Sequence, residues 1–239
     1  MDWSALIEFD KQLLLCFNGS DSLFLDGIAK TLTTASTWIP MYLGMFYLVL
    51  KNNDNFQRVL LILAAAGLCV FFAGSLNDLF VKPEVARWRP ARDTEIAMMV
   101  DVVNGYRGGN YGFFSSHASN TFSLAIFFSL LVRSRVLTTA LIIWSLINCW
   151  TRMYLGVHYP LDIMCGLLWG SLVGTGIWFL HQSIRKRMGN TLGFISSQYT
   201  STGFQRSDCD VPVAVLVFTL VFALIKSCLI CQLLIVKFF

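Results

Sequence analysis

Charge is what this sequence has least of. Only 13% of its 239 residues are Asp, Glu, Lys or Arg, against about 25% in ordinary soluble domains. A chain so poor in charge cannot clothe a water-facing surface of this size, which excludes the soluble globular class. No basic low-complexity tract is present, and the net charge is only +4, so nucleic acid is not an expected partner. The start, Met1 to Lys11, lacks the basic region and apolar core of a cleavable signal. It reads instead as an amphipathic helix lying in a membrane interface, with Leu6, Phe9 and Leu13 on one face. The seven cysteines are scattered, and the Cys228–Cys231 pair has metal-like spacing without histidine partners. They read as small apolar packing residues, and no metal site is expected. Histidine is rare as well, with three copies: His117, His158 and His181.

What the chain has in quantity is apolar length, with 56% hydrophobic residues. The run from Val59 to Val81 is almost unbroken and has roughly the 20 residues that a spanning helix needs. Ile28–Leu50, Ser115–Val132, Val136–Tyr154 and Pro160–Leu180 read as further spans. Val211–Val236 is a candidate sixth, interrupted by Lys226, whose charge at mid-membrane would cost roughly 2.5–3.5 kcal/mol on insertion scales. The expected fold is therefore all-α: a polytopic bundle of five or six transmembrane helices with an interfacial N-terminal helix. Its expected organisation is a membrane-embedded unit over 1–188, a polar linker over 189–210 and a C-terminal hydrophobic helix over 211–239. Basic residues fall in the loop holding Lys51 and Arg58, in Arg133-Ser134-Arg135 and in Arg185-Lys186-Arg187. Crossing the membrane once per span puts all three on one side, which the positive-inside rule assigns to the cytoplasm.

The opposite side then gathers three blocks of chemistry: Lys82 with Arg89-Pro90, Ser115-Ser116-His117, and Arg152 with His158 and Asp162. Arginines can fork onto phosphate oxygens, and Lys82 adds a point charge. His158 and Asp162 stand four apart, with Pro160 suited to the first turn of a helix between them. A carboxylate bonded to one imidazole nitrogen fixes the tautomer and frees the other nitrogen for attack. His117 is left to donate a proton to a leaving oxygen. Fixed cations carry most of phosphoryl transfer, so no metal or other cofactor is required. Lys or Arg at a helix end more often snorkels to headgroups; the combination of spacings is what lifts these residues above that reading. His181, beside the basic run, reads as non-catalytic.

These blocks resemble the signature of the type 2 phosphatidic acid phosphatase superfamily, which also includes glucose-6-phosphatases and vanadium haloperoxidases. That signature runs Lys-x6-Arg-Pro, Pro-Ser-Gly-His, and Ser-Arg-x5-His-x3-Asp. Lys82 to Arg89-Pro90, Arg152 to His158 and His158 to Asp162 match the spacings, while Phe114, Ser116 and Thr151 depart from Pro, Gly and Ser. The resemblance implies a helical bundle and a metal-independent phosphatase working through a covalent phosphohistidine. By position, His158 is the nucleophile, Asp162 orients it and His117 protonates the leaving group. Lys82, Arg89, Ser115, Ser116 and Arg152 hold the phosphoryl group. The loop Asn104–Gly112 adds Arg107 and Tyr111 as candidate headgroup contacts. The expected partner is a lipid phosphate within the bilayer, met at a site on the plasma (inner) membrane facing away from the cytoplasm. Lipid A or undecaprenyl diphosphate is preferred over phosphatidylglycerol phosphate, phosphatidic acid or soluble phosphomonoesters.

Overall fold

Apolar runs fold into helices because no water is available to satisfy a bare backbone, and the caps decide where each begins. The computed structural model describes residues 3–189 and 196–238. Part of the polar stretch 189–210, residues 190–195, lies outside them. Helix α1 (Trp3–Phe17) leads into α2 (Leu23–Thr33), capped by Ser22, and α3 (Ile39–Lys51) follows. Helix α4 (Phe56–Val70), capped by Asn55, runs on through two π-helical stretches, Phe71–Ser75 and Asn77–Val81, into a last short turn, α5 (Lys82–Val85). After a long loop come α6 (Ser116–Val132), α7 (Arg135–Tyr154), α8 (Pro160–Arg187) and α9 (Arg206–Phe238). Among the described residues, Phe56–Val85, Arg135–Tyr154, Pro160–Arg187 and Arg206–Leu233 are long and apolar enough to cross a membrane. With 17 residues, α6 is about 25 Å long, just short of a full span. The architecture is the all-α polytopic bundle expected.

One span differs in detail from the sequence reading. The run Ile28–Leu50 is not one helix. It breaks at Thr34, passes through a 3-10 turn (Ala35–Trp38) and restarts with Pro40 near the start of α3. Proline is tolerated there because the N–H of the first turn has no intrahelical partner. Thr37 Oγ1 and Trp38 Nε1 donate to the carbonyls of Thr31 and Leu32, at 2.7 and 2.8 Å, satisfying groups the break exposes. On α1, the buried face is Asp10, Lys11 and Leu14, while Leu6 and Phe9 are exposed. Along α9, Lys226 lies 20 residues past Arg206, about 30 Å at 1.5 Å per residue. It is exposed.

Helices α6 and α8 pack backbone to backbone. Gly166, Gly170 and Gly174 repeat every four residues, one face of α8. A Cβ on each would stand 2.8, 2.6 and 2.5 Å from the carbonyl oxygens of Ser115, Ser119 and Ser123. Small residues allow such close approach where lipid offers no hydrophobic drive between helices. The seam sets the start of α6 beside the start of α8, and Ser115 N–H donates to the Asp162 carbonyl at 3.0 Å. At the other end of the bundle, Asn52 bonds Asp208 and the Gln205 N–H, and Thr202 bonds the Val132 carbonyl. The basic turns thus gather at one end and the three sequence blocks at the other.

Candidate active site

Each block sits where a helix starts or stops. Lys82 opens α5, the last turn of the α4–α5 rod, Ser115 caps α6, Arg152 lies in the last turn of α7, and Asp162 is in the first turn of α8. The π-helical stretches place Asn77, Asp78 and Lys82 toward α6. Two of the carbonyls in this stretch are taken by side chains of neighbouring helices: Ser119 Oγ donates to Ala73 at 2.8 Å and Trp169 Nε1 to Phe72 at 3.1 Å.

Arg89 and Arg152 are 7% and 2% exposed, and among the described residues neither is ion-paired. Arg89 donates to the Tyr111 carbonyl at 3.1 Å, to the Val157 carbonyl at 3.2 Å and to His158 Nε2 at 3.2 Å. Arg152 donates to Thr33 Oγ1 at 2.6 Å and to the Tyr106 hydroxyl at 3.3 Å, leaving its buried Nε without a partner. Two buried guanidiniums with no carboxylate are costly. The arrangement offers an anion two buried donors that no carboxylate neutralises.

His158 is 1% exposed. A guanidinium can only donate, so the Arg89 contact makes Nε2 the acceptor and puts the ring proton on Nδ1. That nitrogen faces Asp162 Oδ2 at 3.5 Å, longer than a well-made hydrogen bond. Burial, then the charges of Arg89, Arg152 and Lys82, push His158 well below its ordinary value, so the ring is neutral with the Nε2 lone pair turned toward Arg89. Asp162 is held by the Tyr159 N–H at 3.0 Å and by Arg87 Nη1 at 2.8 Å. The same three cations act through charge on His117, one residue into α6.

The serines divide the work. Ser115 Oγ accepts from Ala118 N–H as the cap of α6, at 3.4 Å. Ser116 Oγ donates to Asp78 at 2.7 Å while accepting from Asn77 at 2.9 Å and Lys82 at 3.0 Å. Lys82 is also ion-paired with Asp78. Ser116, standing where the family signature has glycine, therefore tethers Lys82 through its hydroxyl. Arg107 donates to the Ala91 carbonyl at 2.8 Å, and the Tyr111 ring packs on Trp88 at 5.2 Å. Both help to wrap the loop around Arg89. Gly112 explains part of that loop's glycine content, since a Cβ there would lie 3.0 Å from Asp162 Oδ2 and 3.4 Å from Arg89 Cγ.

Spacing arguments missed Asn77, Asp78, Thr33 and Arg87, and left Tyr106 without its bond to Arg152. Only Asp78, four residues before Lys82, carried a local signal, the i,i+4 charge pair. Among the described residues, no three His, Cys, Asp or Glu side chains gather as a metal site.

Residues 55–186 match the family model described as PAP2 superfamily. The chain is 39% identical over 184 residues to a lipid A 4′-phosphatase of Bacteroides thetaiotaomicron, covering 77% of this chain and 81% of that one. It is 34% identical over 184 residues to a lipid A 4′-phosphatase of Porphyromonas gingivalis, covering 76% and 77%. No solved structure matches. With the match spanning more than half of the sequence and containing all three blocks, the chain belongs to the PAP2 superfamily, as a membrane-embedded phosphatase.

Proposed function

We propose that this protein removes the 4′-phosphate of lipid A through a phosphohistidine intermediate, without a metal. The observation that carries the chemistry is the pair of buried, carboxylate-free guanidiniums, Arg89 and Arg152, beside a neutral His158 whose Nε2 lone pair faces Arg89. The choice of lipid rests on the names of the two relatives.

In the first step His158 Nε2 attacks phosphorus, the bond from phosphorus to the sugar oxygen breaks, and His117, protonated beside the negative charge of the bound phosphate, gives that oxygen its proton. Asp162 stabilises the imidazolium character that grows on His158, since its Oδ2 faces Nδ1. Lys82, Arg89, Arg152 and the first-turn N–H groups of α6 hold the equatorial oxygens as charge shifts onto them. In the second step water attacks the phosphohistidine with His117 as base, and inorganic phosphate leaves. Ser115 and Ser116 contribute through the cap of α6 and the tether on Lys82. The catalytic end faces away from the cytoplasm on the plasma (inner) membrane, opposite the end bearing Lys51, Arg133 and Lys186, as the positive-inside rule favours. There the lipid reaches the site from within the bilayer, and Arg107 and Tyr111 border the loop over its headgroup.

The test is phosphate release from lipid A by the purified protein in detergent with EDTA, His158→Ala run in parallel. Release is expected to survive the chelator and to be lost in the variant. Activity that needs an added divalent ion, or that persists in His158→Ala, would refute the mechanism. Release from undecaprenyl diphosphate but not from lipid A would reassign the substrate.

A further inference from the structure

Between Lys82 and Arg89 lies Arg87, at a position the family signature leaves open, and it is the side chain that reaches Asp162. We infer that Arg87 and Asp10 are positioning residues for the His158–Asp162 pair, and that helix α1 is thereby part of the catalytic device. The inference rests on the phosphatase reading above and deepens it.

Asp10 lies in the middle of α1, 77 residues before Arg87, with its side chain 2% exposed. One of its oxygens accepts from Leu161 N–H at 2.9 Å, in the first turn of α8. It does for α8, from another helix, what an N-cap side chain does locally. The other oxygen accepts from Arg87 Nη2 at 2.6 Å. Arg87 Nη1 donates to Asp162 Oδ1 at 2.8 Å, and the guanidinium lies over the Tyr159 ring at 4.2 Å. A planar, always-charged fork is the side chain suited to spanning two carboxylates, and stacking fixes its plane.

The consequence is directional. Because Oδ1 of Asp162 is taken by Arg87, Oδ2 is left to face both Tyr159 N–H and His158 Nδ1. The order α1, Asp10, Arg87, Asp162, His158 is a chain of contacts running from the N-terminal helix to the attacking ring. Further ties hold α1 to the same end: Lys11 pairs with Glu95, and Asn18 accepts from Asp101 N–H at 2.7 Å.

The experiment is a double-mutant cycle on the full-length protein in detergent with lipid A as substrate. It compares wild type, His158→Ala, Arg87→Gln, Asp162→Asn and the Arg87→Gln/Asp162→Asn pair. Melting temperatures are measured beside kcat and KM. Arg87→Gln is expected to lower kcat on the order of 10- to 100-fold with KM within about 3-fold, as loss of an orienting outer partner does. In the Asp162→Asn background the same substitution is expected to change kcat by less than about 3-fold, since groups acting through one another are not additive. Asp10→Asn keeps an oxygen for Leu161 N–H and serves where Arg87→Gln does not fold, with the same non-additivity. Wild-type kcat in Arg87→Gln, or an equal loss in both backgrounds, overturns the assignment and reduces α1 to packing. A wild type that releases nothing sinks the phosphatase reading and this inference together. An active wild type, silenced by His158→Ala but indifferent to Arg87→Gln, sinks the inference alone.

Discussion

His158 reports its surroundings through its proton. In an unfolded chain the ring titrates near 6.5, but here burial and three nearby cations hold it well below that. Between the folded value and 6.5 the unfolded state binds the extra proton. The ring's contribution to stability is therefore present above pH 6.5 and lost as pH falls below it, by up to about 1.4 kcal/mol per pH unit. Melts recorded from pH 7 to pH 5 should show a falling transition temperature, and His158→Asn should flatten that slope. An unchanged slope would mean the ring is not the neutral, enclosed group described. Gly112 gives a second prediction at this scale. Gly112→Ala places a methyl 3.0 Å from Asp162 Oδ2, and small misplacements of a reacting pair are expensive. Its kcat is expected to drop about 10-fold or more with little change in melting temperature. Gly109→Ala, with nothing within 4 Å of its Cβ, should behave as wild type.

At the scale of the element, the α6–α8 seam decides whether the site exists. Gly170→Ala would put a Cβ 2.6 Å from the Ser119 carbonyl, a backbone atom that cannot step aside. Overpacking of this kind costs about 1–3 kcal/mol, and pushing the helices apart also separates Ser115 from Asp162. Melting temperature and activity should fall together. Gly176→Ala, on the same helix with nothing within 4 Å, should be neutral or stabilising by up to about 1 kcal/mol. If both variants behave alike, close packing is not what holds the helices in register. Elements were also where reading the sequence worked unevenly. The spans that became α6, α7 and α8 were legible because apolar runs end at Ser115, Ser134 and Pro160, residues that start helices. The break between α2 and α3 was hidden because Thr33-Thr34-Ala35-Ser36-Thr37 and Pro40 sit inside a run whose average hydropathy stays high. Gly166, Gly170 and Gly174 were in plain view at four-residue spacing, but the use of a glycine face depends on which helix lies against it.

The whole molecule has two unlike ends, one carrying the cation cluster and one the basic turns. Cysteines placed at each end of a version lacking the native seven give the orientation. Met98→Cys, at a position 97% exposed near the catalytic end, should react with a membrane-impermeant thiol reagent from outside intact cells. Lys186→Cys should react only after lysis, and the reverse pattern would invert the topology proposed. At this scale the residues at the site were legible in part. Lys82, Arg89, His117, Arg152, His158 and Asp162 carry fixed spacings within three short blocks. Asp10 and Thr33 meet their partners Arg87 and Arg152 across 77 and 119 residues, and no periodicity encodes a contact of that span.

The three-glycine face of α8 also bears on how this protein can change. A seam that admits nothing larger than hydrogen allows almost no variation along one stripe, yet asks little of the sides of α6 and α8 turned outward, where Met164, Leu168 and Leu172 are exposed. Mutational drift is thereby channelled to the lipid-facing stripes, and descendants of this sequence could adapt to membranes of different thickness or lipid content while inheriting the same spacing of Ser115 and Asp162.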